Sequence, residues 1–396
     1  MTPDSPSIQR FNPSTLIEFA QLIYEKVGVP SEHAWLAADT LVQADLWGHQ
    51  SHGMLRLAWY LARLQSGAMK ANTQTTLVTD AKSIAVLDGQ HGVGQVIARQ
   101  AVEQAVTRAK NHGVGVVSVR NSNHFGTCMY FTRMCAKQGM IALLMSNAGP
   151  NMAPWGGMKK KIGTNPISIA VPGGSHGPVV MDMAISGVAR GKIYLAEKQG
   201  KDIPLGWALD SKGRPTTNPR HAIEGLILPM AGHKGYVFGA MIDILSGVLS
   251  GSGFLEQVHG PYDPTNLSFA GHLLIALDVS NFQPLAQFER SIDDYIKSLK
   301  DVPLAEGHDK VYFPGEMEND FDVVNRRDGL LLAKDTLTSL SDIAKEFNLS
   351  IYEEQFSPSS AACELSIRKW CPHLGLDRLT KRKTRSTNCA QLTVWA

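Results

Sequence analysis

The sequence lacks the features that would place it in several broad classes of protein. Its 396 residues contain no apolar run approaching the ~18 residues of a transmembrane helix. The polar start has no apolar segment behind a basic end, so no secretory leader is expected. A formal charge of +2 gives no reason to expect nucleic acid or a membrane surface as a partner. Five cysteines without a C-x-x-C spacing indicate neither a disulfide framework nor a metal site. We therefore expect a cytoplasmic globular protein.

The residues that are present suffice for a large core. Hydrophobic residues make up 43% and charged residues 19% of the chain, as in ordinary globular proteins, and the length predicts two or three domains. Asn12-Pro13 before STLIEFAQLIYEKVG predicts a capped helix. Further helices are predicted at about 31–47 and 51–64. We expect residues 1–75 to form a helical unit.

Residues 76–283 show the alternation of apolar runs and helical patterns that is typical of an α/β unit. The turn sequence PGGSHGP between two of the predicted strands indicates a hairpin, so the sheet is not expected to be purely parallel. Strands are predicted at about 84–87, 114–119, 140–145, 167–171, 179–183, 226–228 and 272–279, and helices at about 94–111, 128–137, 187–199 and 235–249.

The character of the sequence changes near its end. Two more helices are predicted, at about 284–299 and 335–347. Beyond them, residues 350–396 hold three of the five cysteines and a basic cluster, KRKTR, without visible periodicity. We expect this segment to be a poorly ordered tail.

The stretch VGVVSVRNSNHFGT, residues 114–127, combines a predicted buried strand, a polar loop and the start of a helix. Such loops are where α/β proteins bind ligands, because the helix N-terminus offers free N–H donors. His124 in this loop could bond a ligand. The alternative is a loop of ordinary turn formers.

A second candidate site lies in the predicted third helix. His52, Arg56 and Tyr60 are spaced by four residues and would form one polar stripe. Arginine can hold a carboxylate with two hydrogen bonds, and histidine can exchange a proton with a neighbouring oxygen. The alternative is a solvated helix face.

Two isolated charges could also serve a site. Asp182 sits in the otherwise apolar run VVMDMA, where a buried carboxylate needs a partner. It could orient a histidine or cap a helix. Lys234 opens an apolar helix and suits a phosphate, although a solvated lysine is equally compatible with the pattern.

Three motifs suggest a function but lack the neighbouring residues or elements that the function requires. Gly92-Val93-Gly94 begins like the dinucleotide fingerprint, but the third glycine and the later acidic residue are missing. Ser175 lies in a G-x-S-x-G sequence, but a strand rather than a helix is predicted to follow it. His49 and His52 could share a helix face, but no third metal ligand follows at a recognisable spacing.

In their order along the chain, eight segments resemble the malate/L-lactate dehydrogenase family, whose relatives include ureidoglycolate dehydrogenase, 2,3-diketogulonate reductase and Δ1-piperideine-2-carboxylate reductase. Each segment is weakly informative alone, and together they are specific. They are SHGMLRLAWY (51–60), NSNHFGT (121–127), APWGG (153–157), GTNPISIAVP (163–172), DMAISGVARGKI (182–193), GWALD (206–210), GHKGY (232–236) and FPGE (313–316).

The resemblance implies a fold and an assembly. An NAD(P)-binding domain of non-Rossmann type, residues 76–283, would be built on a mixed, largely antiparallel sheet. It would pack with a helical domain made from both chain ends, residues 1–75 and 284–349. The family resemblance also implies a homodimer with the site between domains.

The resemblance further implies roles for single residues. His52 would be the proton donor and acceptor, with Ser51 and Asp182 as relay partners, although one branch of the family gives this role to the histidine matching His124. Arg56 and Thr164 would hold the substrate, together with Tyr60 of the polar stripe. The NAD or NADP site would be lined by His124, Phe125, Gly126, Thr127, Cys128, Asp182, Met183, Ala184, Lys234, Gly315 and Glu316.

The implied reaction is hydride transfer between nicotinamide and C2 of a small 2-hydroxy or 2-oxo acid. A cyclic imino acid or a ureidoglycolate-type substrate is the alternative on the same scaffold. Two other classes stay open: a serine hydrolase using Ser175, and an NAD(P)-binding paralogue that turns nothing over. We expect the loop at 146–152 to select the substrate.

Overall fold

A computed structural model describes residues 9–356. Within this part of the chain, no helix is long and apolar enough to cross a membrane. The helices are α1 Pro13–Lys26, α2 Ser31–Leu46, α3 Leu57–Ser66, α4 Gly94–His112, α5 Cys128–Ala136, α6 Arg190–Lys198, α7 Pro219–Glu224, α8 His233–Asp243, α9 Leu285–Lys300, α10 Glu316–Asp328, α11 Lys334–Glu346 and α12 Ser350–Phe356. The strands are β1 Thr76–Ala81, β2 Ile84–Asp88, β3 Val114–Ser122, β4 Met140–Ser146, β5 Ile167–Val171, β6 Val179–Met183, β7 Ala208–Leu209, β8 Pro215–Thr216, β9 Leu226–Ile227 and β10 Ala270–Asp278.

Seven strands form the main sheet, in the order β1-β2-β3-β10-β4-β5-β6. Only β2 and β3 run parallel; the other neighbouring strands are antiparallel. β7, β8 and β9 form a separate small sheet. The expected mixed, largely antiparallel architecture is thus confirmed, and β5 and β6 form the expected hairpin.

Helices cover both faces of the main sheet. On one face, α4 and α5 bury a core with β2, β3, β4 and β10. On the other face, Ile242 of α8 packs with Ile167 and Leu273 of the strands. A strand that is covered on both faces needs apolar residues facing each way, which explains Val116, Val117 and Val119 in β3.

A second core consists of helices from both ends of the chain. It joins residues of α1, α2 and α3 to residues of α11 and α12. Two backbone hydrogen bonds between Phe11 and Leu330 tie the ends together. Helices from both parts of the described chain thus share one core, and the division into domains at 75, 283 and 349 remains a prediction.

The structure corrects the predicted helix at 51–64. Two 3₁₀ turns, Gln50–His52 and Met54–Arg56, meet at Gly53, and the α-helix starts only at Leu57. The expected polar stripe therefore does not lie on one continuous helix. Its three side chains are brought together by a bend instead.

The predicted tail at 350–396 begins too early. Ser350–Phe356 forms α12, and the buried Phe356 contacts the rings of Phe11 and Phe19. The rest of the predicted tail, residues 357–396, lies outside the described residues.

Two of the rejected motifs have structural roles. Gly94 is the first residue of α4, and a Cβ there would overlap the carbonyl oxygens of Asn123 and His124. Ser175 lies in the turn between β5 and β6, where its N–H donates to the Asp293 carboxylate. The helix that a nucleophile elbow requires after the serine is replaced by β6.

Candidate active site

A cavity of about 200 Å³ lies where the loop after β3 meets the turn before α3. It collects loops from distant parts of the chain, as sites at strand ends commonly do. The lining consists of His49, His52, residues 124–128, residues 146–149, Thr164, Pro166, residues 182–184, residues 258–261, Ser268 and Ala270.

Two histidines stack at one side of this cavity. The rings of His52 and His124 lie 5.5 Å apart and nearly parallel. Nδ1 of His52 is 2.9 Å from Oγ of Ser51, and Nδ1 of His124 is 2.5 Å from the hydroxyl of Tyr60. Each imidazole is therefore oriented through Nδ1 by a neighbouring hydroxyl, which leaves Nε2 for a ligand.

Both imidazoles are held in the neutral form. Burial, with the positive charge of Arg56 adding to it, lowers the pKa of His52 to about 3. Burial and the neighbouring His52 and Arg56 lower the pKa of His124 well below its ordinary value. Nδ1 of His124 also accepts the Gly126 N–H at 3.3 Å, so the neutral ring carries its proton on Nε2, which can donate to a ligand oxygen. Nδ1 of His52 faces a hydroxyl that can accept, so Nε2 of His52 can stay unprotonated and take up a proton.

The guanidinium of Arg56 is fixed but not neutralised. Its Nε donates to the Ser51 carbonyl oxygen at 2.5 Å, and the group lies 4.0 Å above the ring of Trp59. Among the described residues, no carboxylate forms an ion pair with it. An arginine held in this way retains hydrogen-bond donors for an external carboxylate.

Asp182 holds the N-terminus of α5 rather than a histidine. Its Oδ2 accepts a hydrogen bond from the Met129 N–H at 2.7 Å, and the Cys128 N–H also donates to it. Burial raises the pKa of Asp182 to about 6. Within residues 9–356 the carboxylate makes no hydrogen bond to His52, although both line the cavity, and its expected role as a relay partner remains a prediction.

Another part of the lining, formed by the residues after His124 and at the end of β6, suits an amide-bearing aromatic ring. Met183 and Ala184 supply apolar surface, and Gly126 has a left-handed φ of 90° with open space where a Cβ would be. The Thr127 hydroxyl oxygen is buried without a hydrogen-bond partner among the described residues. Such an unpaired group commonly marks a place for a ligand's polar atom.

Comparison with known proteins decides the family. The family model described as malate/L-lactate dehydrogenase matches residues 11–341. The chain belongs to this family.

Individual relatives agree. The malate/(S)-sulfolactate dehydrogenase of Methanothermus fervidus is 39% identical over 329 residues, which are 83% of this chain and 95% of that protein. An NAD(+)-dependent ureidoglycolate dehydrogenase of Escherichia coli O157:H7 is 35% identical over 300 residues, 75% of this chain and 85% of that protein. The solved sulfolactate dehydrogenase from Methanocaldococcus jannaschii superposes with a TM-score of 0.82 at 37% identity, covering 86% of this chain and 98% of that one.

These matches confirm the predicted family, its mixed-sheet fold and its class of activity. The chain is an NAD(P)-dependent oxidoreductase of the malate/L-lactate dehydrogenase family. Dehydrogenases specific for NAD and for NADP both occur among its relatives.

In this family member, three residues expected at the cofactor are not among those that line the cavity, and neither are the expected substrate residues Arg56 and Tyr60. Lys234 is exposed in the first turn of α8. Gly315 packs against Val180 of β6. Glu316 forms an ion pair with Lys300 at 2.5 Å, which lowers the pKa of its carboxyl. The structure therefore does not bring these three residues together with His52 and His124.

Other lining residues were not predicted individually. His49 lines the cavity and lies 3.5 Å from Glu318 of α10. The Asn147 amide donates to the Asp243 carboxylate, and residues 146–149 of the loop expected to select the substrate line the cavity. Residues 258–261 come from a Pro- and Gly-rich loop whose only sequence signal is its turn-forming composition.

Proposed function

We propose that this dehydrogenase interconverts a small 2-hydroxy acid and its 2-oxo acid with NAD or NADP. The observation that carries the proposal is the Arg56 guanidinium, which forms no ion pair among the described residues and lies close enough to the stacked His52 and His124 for its charge to add to the lowering of both pKa values. A carboxylate on Arg56 would place the adjacent C2 oxygen near both imidazoles. Holding both partners makes the reaction effectively intramolecular.

We assign the acid–base role to His52. Its Nδ1 is engaged by Ser51, whose hydroxyl lies at the exposed end of the turn and connects the imidazole to solvent protons. His124 is engaged by the buried Tyr60 and is assigned the orientation of the substrate oxygen. Thr164 lines the cavity and would complete the substrate site.

The cofactor site fits the cavity face formed by residues 124–128 and 182–184. The Thr127 hydroxyl and the backbone at Gly126 would bond a carboxamide, and Met183 and Ala184 would cover a ring face. When bound, nicotinamide supplies or accepts the hydride at C2. Asp182 would keep this face in place through the N-terminus of α5.

A panel of reductions tests the proposal. NADH and NADPH oxidation would be measured with oxaloacetate, 3-sulfopyruvate, pyruvate and a cyclic imino acid. We expect turnover with a 2-oxo acid, because Arg56 and the two imidazoles match a carboxylate beside a carbonyl. Turnover of the imino acid alone would favour the alternative substrate class. Cofactor binding without turnover of any member would favour a non-catalytic paralogue.

We also propose a homodimer. α8 and the turn after it expose an apolar stripe formed by Val237, Phe238, Met241, Ile244 and Val248. A face of this kind on a globular protein commonly contacts a partner. Sedimentation should give twice the mass of the chain, and Met241→Asp should lower it to one chain, whereas Tyr295→Asp on the exposed side of α9 should not.

A cytoplasmic location is part of the proposal. The buried Cys128 and Cys135 are free thiols. Reduced thiols are typical of intracellular compartments. Fractionation of cells expressing the full chain should recover it with the cytoplasmic proteins.

A further inference from the structure

A buried carboxylate lies under the turn that carries the proposed catalytic histidine. Asp45 is the second-last residue of α2 and is only 3% exposed. Its Oδ2 accepts a hydrogen bond from the Met54 N–H at 2.8 Å. Met54 begins the second of the two 3₁₀ turns, so this bond ties α2 to the segment between His52 and Arg56.

The same carboxylate fills the space beside Gly53. A Cβ added at Gly53 would overlap the carboxyl group of Asp45. Gly53 is the residue at which the turn bearing His52 meets the turn ending in Arg56. The segment is therefore folded closely around Asp45, and only glycine permits this approach.

Packing alone does not explain a carboxyl group at position 45, because its burial is unfavourable for the free energy of folding. Burial raises the pKa of its carboxyl to about 7, opposed only by the Met54 hydrogen bond. No basic side chain of the described residues forms an ion pair with it. A carboxyl group buried with a single hydrogen bond destabilises a fold relative to an apolar side chain of similar size.

We propose that Asp45 is a positioning residue, which holds residues 50–56 so that His52 and Arg56 face the substrate together. The proposal rests on the proposed function for the roles of His52 and Arg56. Asp45 itself touches neither substrate nor cofactor. Its effect passes through the Met54 N–H and the close contact with Gly53.

Single substitutions separate positioning from stability. Asp45→Ala removes the acceptor, and we expect kcat for the best substrate of the panel to fall about 100-fold, the scale of a 1 Å misplacement, with unchanged NADH affinity. Asp45→Asn keeps an oxygen acceptor of the same shape and should restore kcat to within about threefold. Asp39→Asn is the matched control, because Asp39 is a partly buried α2 carboxylate bonded to Tyr130 instead of this turn.

A double substitution tests the contact from the other side. Gly53→Ala alone should lower kcat as severely as Asp45→Ala, because the new Cβ meets the carboxylate. Asp45→Ala combined with Gly53→Ala removes that overlap, so the double variant should be no worse than Asp45→Ala alone. Strict additivity of the two losses would contradict the proposed contact, since coupled neighbours are not additive.

Hydrogen exchange gives a readout that needs no turnover. The Met54 amide should exchange at least 10-fold faster in Asp45→Ala than in the wild type, and at the wild-type rate in Asp39→Asn. If the wild type turns over no substrate, the proposed function fails while this result still judges Asp45. Unchanged exchange overturns the proposal, as does an Asp45→Ala chain that fails to fold or to bind NADH, because Asp45 then supports the whole fold.

Discussion

At the scale of single residues, the site depends on charges that the surrounding residues leave unbalanced. Burial lowers the pKa of both His52 and His124, and the positive charge of Arg56 adds to this effect, so both imidazoles are neutral. A bound carboxylate would offset that charge and make a protonated His52 less costly during the reaction. Before the substrate binds, His52 thus favours its neutral, proton-accepting form. The bound carboxylate then favours protonation of His52.

Removing the proposed base is the direct test at this scale. We expect His52→Ala to lower turnover by roughly 10²–10⁴-fold, because general acid–base catalysis contributes that much. NADH affinity, measured by fluorescence titration, should change little. His124→Ala is the comparison: if it abolishes turnover while His52→Ala does not, the acid–base role belongs to His124.

The geometry of Arg56 can be tested with its charge retained. Arg56→Lys keeps a cation but loses the planar fork and the stacking on Trp59. We expect a 10-fold or larger rise in KM for the carboxylate substrate, with KM for the cofactor unchanged. Steady-state kinetics with both substrates varied would measure this, and equal KM values in the two proteins would remove Arg56 from the substrate site.

At the scale of elements, the termini of helices and strands carry the site, and α5 is the clearest case. Asp182 of β6 receives the free N–H groups of Cys128 and Met129 at the start of this helix. These hydrogen bonds join the start of α5, at the proposed cofactor site, to β6, the edge strand of the sheet. The elements themselves are rigid supports, and the loops between them bear the functional groups.

The burial of the Asp182 carboxyl, which outweighs these hydrogen bonds, makes the stability of the fold depend on pH, and the sign follows from the pKa. The folded pKa of Asp182, about 6, lies above the value of 3.8 for a free carboxyl. The associated stability is therefore present below pH 3.8 and is lost as the pH rises through 6. Asp182→Asn should remove that loss, so its Tm relative to the wild type should increase between about pH 4 and pH 7 and stay level above that. A constant difference measured by calorimetry across this range would contradict the assignment.

Elements that are marked by local signals, such as turn residues or a helix cap, could be predicted from the sequence. Elements that are stabilised by distant contacts could not. The hairpin of β5 and β6 was evident from its turn residues, and α1 from its cap. β1 was missed because all six residues of this edge strand are exposed, so no apolar alternation marks it. The sequence predicts a continuous helix through Gly53, because the Asp45 carboxylate around which this bend packs lies in another element.

The same limit applies to the candidate site. His52, Arg56 and His124 could be identified because each follows a local pattern, a helix-like spacing or a strand end. The lining residues 258–261 and His49 reach the cavity only through the packing of separate segments. Asp182 was identified as needing a partner, but which partner it has depends on the position of α5.

At the scale of the whole molecule, the site draws on two cores. His52, Arg56 and Tyr60 are held by the helical core, whereas His124 and Asp182 belong to the sheet and its loops. The helical core contains both ends of the described chain. Its integrity should therefore control how the two halves of the site face each other.

Phe356, the last residue that the structure describes, offers a test of this arrangement. It is fully buried against Phe19 and Phe11, so Phe356→Ala should lower the free energy of unfolding by about 3–5 kcal/mol. Ile351→Ala on the same short helix is the matched control, because Ile351 is 79% exposed and its loss should change stability by less than about 0.5 kcal/mol. Urea unfolding measures both.

Since α1, α3 and α12 share one core, a destabilised α12 should also raise KM for the carboxylate substrate, which Arg56 is proposed to bind, more than KM for the cofactor. Equal stabilities of the two variants would mean that the helical core forms without α12.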